Sequence, residues 1–239
     1  MDPVDTSRFP IAAGGLIVSC QAPVSSPLHG PSPMALMAQA VMRGGARAIR
    51  ANGPADVAAI RAAVSLPLVG LHKIGDPSGV FITPTVAAAA PVVAAGADLL
   101  AIDGTTRLRP DGSTCAAQIQ AIQAELGVLV VADVDCLEAG LRARDAGADA
   151  VATTLSGYTG QASPPDEPDI ALVSDLAAAV DCPVFAEGRY RTATQVRTAL
   201  DAGAHAVVIG AAITNPMAIT QRLVHEIALS AGPVPGRTP

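Results

Sequence analysis

The segment PLVGLHKIGD, residues 67–76, carries the one lysine of the chain, Lys73, among fifteen Lys and Arg residues in all. A guanidinium supplies charge but keeps its proton, whereas burial and cationic neighbours bring a catalytic lysine down to a pKa of ~7–8. A lone lysine thus marks a place where an amine that exchanges a proton has a use. The carboxyl to set against it is Glu187, in CPVFAEGRY (182–190). An amine and a carboxyl approaching one carbon from opposite sides suit proton removal on one face and proton return on the other. Each has a plainer alternative: Lys73 as an ion-pair partner of Asp103 or Glu187, and Glu187 as a partner of Arg189.

A repeated unit has to position these groups. RGGARAIRANG (43–53), AAGADLLAIDG (94–104), DAGADAVATTL (145–155) and DAGAHAVVIGA (201–211) share one pattern. A helix ends at Gly, a short link follows, and an apolar run of buried-strand type comes next. Similar runs lie between them: GGLIVSC (14–20), LPLVGLHK (66–73), VLVVADV (128–134) and CPVFAEGR (182–189). The segments separating the eight runs have helical composition and period, from PMALMAQAVMRGG after the first to NPMAITQRLVHEIALS after the eighth. Eight β–α units in this length predict an α/β chain forming a single (β/α)8 TIM barrel of the phosphate-binding type. It spans residues 1–239, with a short N-terminal extension over about 1–12 and a frayed tail over about 231–239. The absence of G-x-G-x-x-G after the first run argues against a dinucleotide-binding sheet. The apolar run TVAAAAPVVAAGADLLAI (85–102) is interrupted by Pro91, Gly96 and Asp98, so it reads as a helix and a strand and not as a membrane span.

In such barrels chemistry gathers at the C-terminal ends of the strands. The polar residues ending the runs are Ser19 and Gln21, Arg50, Lys73, Asp103, Asp133, then Thr153, Thr154 and Ser156, then Glu187 and Arg189. Strands three and seven are opposed in a ring of eight, which sets Lys73 across from Glu187. The turns after strands seven and eight hold Gly188 with Arg189 and Gly210 with Ala211, small-residue turns whose backbone N–H groups can approach a phosphate.

Bulk properties narrow the partners. Half the residues are apolar, the net charge is −6, and aromatics are limited to two Tyr and three Phe. No basic run is present, so neither duplex nor single-stranded nucleic acid is expected, while a small anionic ligand is. Cys20, Cys115, Cys136 and Cys182 show no C-x-x-C pair and no His at ligand spacing, which predicts no metal site, no disulfide framework and a cytoplasmic protein. The N-terminus MDPVDTSRFP is acidic and prolyl, unlike a signal peptide. The apolar last helix leaves room for a homodimer interface.

GGLIVSCQ, AIRANG, LVGLHK, LLAIDGTTRLRP, VATTLSGYT, EGRY and IGAAIT occur in one order over about residues 13–220. In these stretches the chain resembles the N-acetylmannosamine-6-phosphate 2-epimerase family. The resemblance implies interconversion of N-acetylmannosamine 6-phosphate and N-acetylglucosamine 6-phosphate in sialic acid use, without metal or organic cofactor. It implies Lys73 and Glu187 as catalytic residues and Gln21, Arg50 and Asp133 as substrate contacts. Thr154 and Tyr158 join the substrate-binding set, and Gly188, Arg189, Gly210 and Ala211 the phosphate-binding set. In the mechanism this gives, Lys73 takes the C2 proton of the open-chain sugar and Glu187 assists ring opening and proton relay. Asp133 and Arg50 hold hydroxyl and acetamido groups. Two departures from the family pattern are the Ile74-Gly75 pair after the lysine and Asp135 in place of a Ser. Alternatives on the same barrel are another phosphosugar isomerase or epimerase, a Schiff-base aldolase using Lys73, and a sugar-phosphate-binding barrel without turnover.

Overall fold

The computed structural model describes residues 9–160 and 165–230, without the side chain of Ser230. Eight strands alternate with helices: β1 (Gly15–Cys20), α1 (Pro31–Arg43), β2 (Ala48–Asn52), α2 (Pro54–Ala63), β3 (Leu68–Leu71), α3 (Val86–Ala94), β4 (Leu99–Asp103) and α4 (Cys115–Leu126). The second half continues with β5 (Leu129–Asp133), α5 (Leu137–Asp145), β6 (Ala150–Ala152), α6 (Ile170–Ala179), β7 (Val184–Glu187), α7 (Ala193–Asp201) and β8 (Ala206–Ile209). A short α8 (Ala211–Thr214) precedes α9 (Pro216–Ser230). Every strand pairs in parallel with its sequence neighbours and β8 closes on β1, which is the (β/α)8 barrel predicted from the repeat.

The strand period of two sorts the apolar residues into two cores. Val18, Ile49, Leu68, Leu100, Val130 and Val151 point outward against the helices. Ile17, Ala48, Val69, Leu99, Ala101, Val131, Ala150, Ala152, Phe185, Ala206 and Val208 point inward and fill the barrel. The inward set is rich in alanine, so one large ring, Phe185, takes much of the lower space. Burying a side chain of that size contributes about 1.5–3 kcal/mol. Helices can then pack closely on the strands: a Cβ added at Gly70 in β3 would sit 2.4 Å from Val92 Cγ1 of α3.

The floor is closed by residues that the sequence reading left in the N-terminal extension. Ile11 is 1% exposed, and the Phe9 ring tilts against Phe185 at 5.9 Å and meets His205 edge-on at 5.8 Å. His205 Nε2 lies 2.7 Å from the Ile11 carbonyl, tying that segment down. The rest of the expected extension, residues 1–8, and the expected tail over 231–239 lie outside the described residues.

The inward parity that fills the barrel with alkyl groups lower down brings Ser19, Arg50, Asp103, Asp133 and Glu187 to its upper end. β6 is shorter than its apolar run. It stops at Ala152, and Thr153–Leu155 form a 3-10 turn, because the Thr153 hydroxyl binds the main chain of β7 where a strand would have continued the ladder.

Candidate active site

Lys73 stands two residues beyond β3 and is held by its backbone. Its amide donates to Asn52 Oδ1 at 2.8 Å, from the end of β2, and it forms an isolated antiparallel bridge with Ile82. The Ile74 amide donates to the Phe81 carbonyl at 3.0 Å and the Thr83 amide to the His72 carbonyl at 2.8 Å. The loop after β3 therefore returns on itself and walls Lys73 on one side.

Arg50, Lys73 and Glu187 border one cavity of about 250 Å³, with Gln21, Pro77, Phe81, Ile82, Arg107, Thr154, Leu155 and Tyr158. Arg50 is 2% exposed and is gripped by Asp133, Nη1 to Oδ1 at 3.0 Å and Nη2 to Oδ2 at 2.5 Å. Glu187 Oε2 lies 3.0 Å from Arg50 Nη1, without the alignment of a hydrogen bond. Thr154 Oγ1 donates to Asp133 Oδ1 at 2.7 Å. With Lys73 this is a set of two cations and two anions, balanced in charge and concentrated where the barrel opens. Arg50 Nε and Glu187 Oε2 have no hydrogen-bond partner among the described residues, so buried polar capacity is left for a ligand.

The surroundings move the two proton-exchange candidates toward each other. Burial foremost, and then the Arg50 guanidinium, lower the Lys73 ammonium below its ordinary value, against Glu187 and Asp133. The residue is exposed at the cavity rim, so the direction rests on its concave setting and on Arg50 and not on full enclosure. Burial foremost, with Asp133 near, raises the Glu187 carboxyl, while Arg50 and Lys73 oppose that. For Arg50 burial works against charge, but Asp133 and Glu187 outweigh it and the guanidinium stays protonated. Opposed shifts of an amine and a carboxyl in one cavity are the environment that acid–base chemistry near neutral pH requires.

A second cavity of about 570 Å³ adjoins the first and shares Thr154, Tyr158 and Glu187 with it. All four residues expected at a phosphate line it: Gly188, Arg189, Gly210 and Ala211. Gly188 has φ 113° and Arg189 φ 66°, a left-handed pair that turns the chain out of β7. The Arg189 guanidinium lies 5.4 Å from the Tyr158 ring centroid and donates to the carbonyls of Glu167 and Ser156, each at 2.7 Å. Part of its bonding is thus spent on holding the loop after β6. Ser19, Tyr190, Arg191 and Arg222 also line this cavity and were not singled out for a phosphate site by the sequence reading. Tyr190 Oη is buried with no hydrogen-bond partner among the described residues, and burial, then Asp169, push its pKa up to about 12.

Other sequence candidates sit elsewhere. Asp133 is wholly buried beneath Arg50 and Thr154, so it reaches the cavity through them. Asp103 is not the partner of Lys73: its carboxylate takes Arg107 Nη2 at 2.7 Å and the Thr105 hydroxyl at 2.6 Å. Nor does Arg189 pair with Glu187, being turned to main-chain carbonyls. Ser156 Oγ donates to Asp169 Oδ2 at 2.6 Å, and Asp135 accepts from the Thr159 hydroxyl at 2.7 Å, both bracing the loop after β6. Arg107, in the stretch LLAIDGTTRLRP, also borders this cavity. Among the described residues no cluster of three or more His, Cys, Asp or Glu is set for a metal ion, and no helix is long and apolar enough to cross a membrane.

Residues 34–229 match the family model described as "Putative N-acetylmannosamine-6-phosphate epimerase". A Cutibacterium acnes protein called "Putative N-acetylmannosamine-6-phosphate 2-epimerase" is 50% identical over 210 residues, 87% of this chain and 91% of that protein. One of the same name from Caldanaerobacter subterraneus is 45% identical over 88% of this chain and 90% of its own length. The solved structure of the N-acetylmannosamine-6-phosphate 2-epimerase from Clostridium perfringens superposes with a TM-score of 0.86 at 39% identity, covering 90% of this chain and 94% of that one.

Proposed function

The chain belongs to the N-acetylmannosamine-6-phosphate epimerase family, and from that membership we propose how its own residues invert C2 of N-acetylmannosamine 6-phosphate to give N-acetylglucosamine 6-phosphate. It is an isomerase on a TIM barrel, acting on an amino-sugar phosphate. The observation that carries the residue assignment is the shared cavity of Lys73 and Glu187 above the Arg50–Asp133 pair, continuous with the cavity at Gly188 and Gly210.

C2 of a closed hexosamine ring is unactivated. Once the ring opens, the C2 proton is α to the C1 aldehyde. Lys73, as neutral amine, takes that proton; the C2–H electrons form a C1–C2 double bond and the charge moves to O1. Return of a proton through the Glu187 relay to the other face of C2 restores the aldehyde with inverted configuration, and Lys73 gives up the proton it took, which resets the amine. Glu187, whose carboxyl burial raises above its ordinary value, moves protons at O1 and the ring oxygen during opening and relay. Arg50, oriented by Asp133, places positive charge beside the developing oxyanion. Thr154, Gln21 and Tyr158 contact sugar hydroxyls. Gly188, Arg189, Gly210 and Ala211 hold the phosphate, whose binding energy orients C2 at Lys73.

We place the enzyme in the cytoplasm, in the use of sialic acid-derived amino sugar, as a homodimer. Supporting the dimer, Leu223, Val224 and Leu229 of α9 are exposed, and a groove of about 410 Å³ lined by Leu16, Val196, Leu200, Ile209, Ala212 and Ile213 has no α9 residue in its wall. A second copy's α9 fits that groove in chemistry.

The test is NMR of N-acetylmannosamine 6-phosphate with the protein in D₂O. Epimerisation with deuterium entering C2 supports proton abstraction with exchange, and epimerisation without deuterium supports an enclosed proton. An unchanged substrate refutes the reading.

A further inference from the structure

A lysine carries its amine on a flexible four-carbon stem, so a base of this type has to be aimed from its backbone. Each residue has only two soft backbone dihedrals, and fixing the peptide planes on both sides of a Cα fixes the direction of its Cβ. Both planes are fixed at Lys73. In the peptide before it, the His72 carbonyl accepts from the Thr83 amide at 2.8 Å and the Lys73 amide donates to Asn52 Oδ1 at 2.8 Å. In the peptide after it, the Ile74 amide donates to the Phe81 carbonyl at 3.0 Å. Among the described residues that line the two cavities neither Asn52 nor Thr83 occurs, so both act on the site through Lys73.

Thr83 stands at φ 45°, in the left-handed region, where a β-branched side chain is a steric outlier. Glycine meets the backbone demand of such a position without strain but has no hydroxyl. The Thr83 hydroxyl is used twice: Oγ1 accepts from the His72 amide at 2.9 Å and donates to the Ala101 carbonyl of β4 at 2.7 Å. The Thr83 carbonyl accepts from Gln118 Nε2 of α4 at 2.6 Å, and Gln118 Oε1 accepts from Arg109 Nε at 2.9 Å. All three of these residues are buried. Arg109 Nη1 donates to the carbonyls of Thr105 at 3.0 Å and Arg107 at 2.7 Å. A buried polar strut thus runs from the loop after β4 through α4 to the peptide that carries Lys73. Strained positions of this kind cluster at active sites, where the surroundings over-determine them.

We infer that Asn52 and Thr83 are positioning residues for Lys73: Asn52 holds its amide from β2, Thr83 brackets His72 from the other side, and Gln118 with Arg109 backs Thr83. The inference rests on the reading of Lys73 as the base at C2. Without the clamp the lysine stem is free to leave the cavity it shares with Arg50 of β2, Glu187 of β7 and Arg107 after β4, with Asp133 of β5 beneath. Burial, then Arg50, lower the ammonium there, against Glu187 and Asp133, so a released amine titrates higher. It also stands away from the reacting carbon, which lowers the rate without touching the groups proposed to bind the sugar.

Lys73 is the one lysine of the chain, so protein labelled with ¹³C at the lysine ε carbon gives a single side-chain NMR signal that reports the base directly. The signal is titrated in the wild type, Asn52→Ala, Thr83→Ala and Thr83→Ser, each checked for fold by circular dichroism, and kcat and KM for N-acetylmannosamine 6-phosphate are measured beside it. In Asn52→Ala and Thr83→Ala the midpoint is expected to rise toward the ordinary lysine value by about half a pH unit or more. Their kcat should fall by about tenfold or more while KM changes by less than about threefold. Thr83→Ser keeps the hydroxyl and should restore the wild-type midpoint and most of kcat. Asn52→Ala removes one bond at a half-buried residue and carries the test where Thr83→Ala does not fold. A wild-type midpoint in Asn52→Ala, or a loss of kcat in Thr83→Ser equal to that in Thr83→Ala, overturns the inference. A wild type with a depressed lysine midpoint that leaves N-acetylmannosamine 6-phosphate unchanged overturns the epimerase reading and not the clamp, which the titration reads by itself.

Discussion

The Thr153 hydroxyl donates to the Glu187 carbonyl at 2.9 Å and accepts from the Glu187 amide at 3.0 Å. One side chain at the end of β6 thereby fixes both main-chain polar groups of the residue that ends β7. Thr153→Val keeps the shape and removes both bonds, leaving a buried N–H and C=O unsatisfied. The expected cost is about 1–3 kcal/mol of stability, read as a shift in urea midpoint, together with a roughly tenfold fall in kcat from a misplaced carboxyl. A variant that unfolds earlier but turns over at the wild-type rate would show that the bracket is structural alone.

Lys73→Arg keeps a cation at the cavity rim and removes the exchangeable amine. Epimerisation followed by NMR should fall by about 10²–10⁴-fold, the range for a lost general base. Substrate binding measured by calorimetry should change far less, because the groups proposed to hold the phosphate and the hydroxyls are untouched. Retention of a tenth or more of the activity would exclude Lys73 as the base.

The pH profile follows from the Lys73 environment. Burial and Arg50 lower its pKa, and the base must be neutral, so kcat/KM falls as pH drops through that lowered value. The acidic limb is expected below the ordinary lysine range near ~10.4. A limb at or above the ordinary lysine range would mean that the enclosure and Arg50 do not act on the amine as described.

Much of this was legible from period and parity. Eight apolar runs separated by helical segments gave the barrel, and the polar residues ending those runs are the groups at its mouth because every second strand residue faces inward. Lys73 and Glu187 stood out by type and by strand. Other features depended on closure. Arg191 and Arg222 come from beyond the strands and reach the cavity at Gly188 and Gly210 only once β8 and α9 are in place. Phe9 and Ile11 become the floor only when His205 and Phe185 present a surface to them. Thr153 acts through main-chain groups of another strand, a bond with no sequence period. Asp133 read as a substrate contact because nothing in a sequence shows that Arg50 would cover it.

α9 offers a test of assembly. A Leu223→Glu, Val224→Glu pair changes two exposed apolar positions and should leave the barrel folded by circular dichroism. Sedimentation is expected to give a dimer for the wild type and a monomer for the pair. A wild-type monomer, or a dimer unaffected by the pair, would exclude this face.

Glu187 yields a prediction of stability that runs opposite to activity. Burial raises its folded pKa, whereas the unfolded carboxyl titrates near ~4.3. Between those values the folded state keeps a proton that the unfolded state has released, so stability falls as pH rises through the window. Below the unfolded pKa both states are protonated and the penalty vanishes; above the folded pKa it is complete. Glu187→Gln carries no such penalty. It should therefore match the wild type near pH 4, exceed it in stability at pH 8, and be inactive. Urea denaturation at both pH values measures the difference. A variant less stable than wild type at pH 8 would show that attraction to Arg50 and Lys73 outweighs the cost of burying the carboxylate, and that Glu187 does not hold its proton toward neutrality.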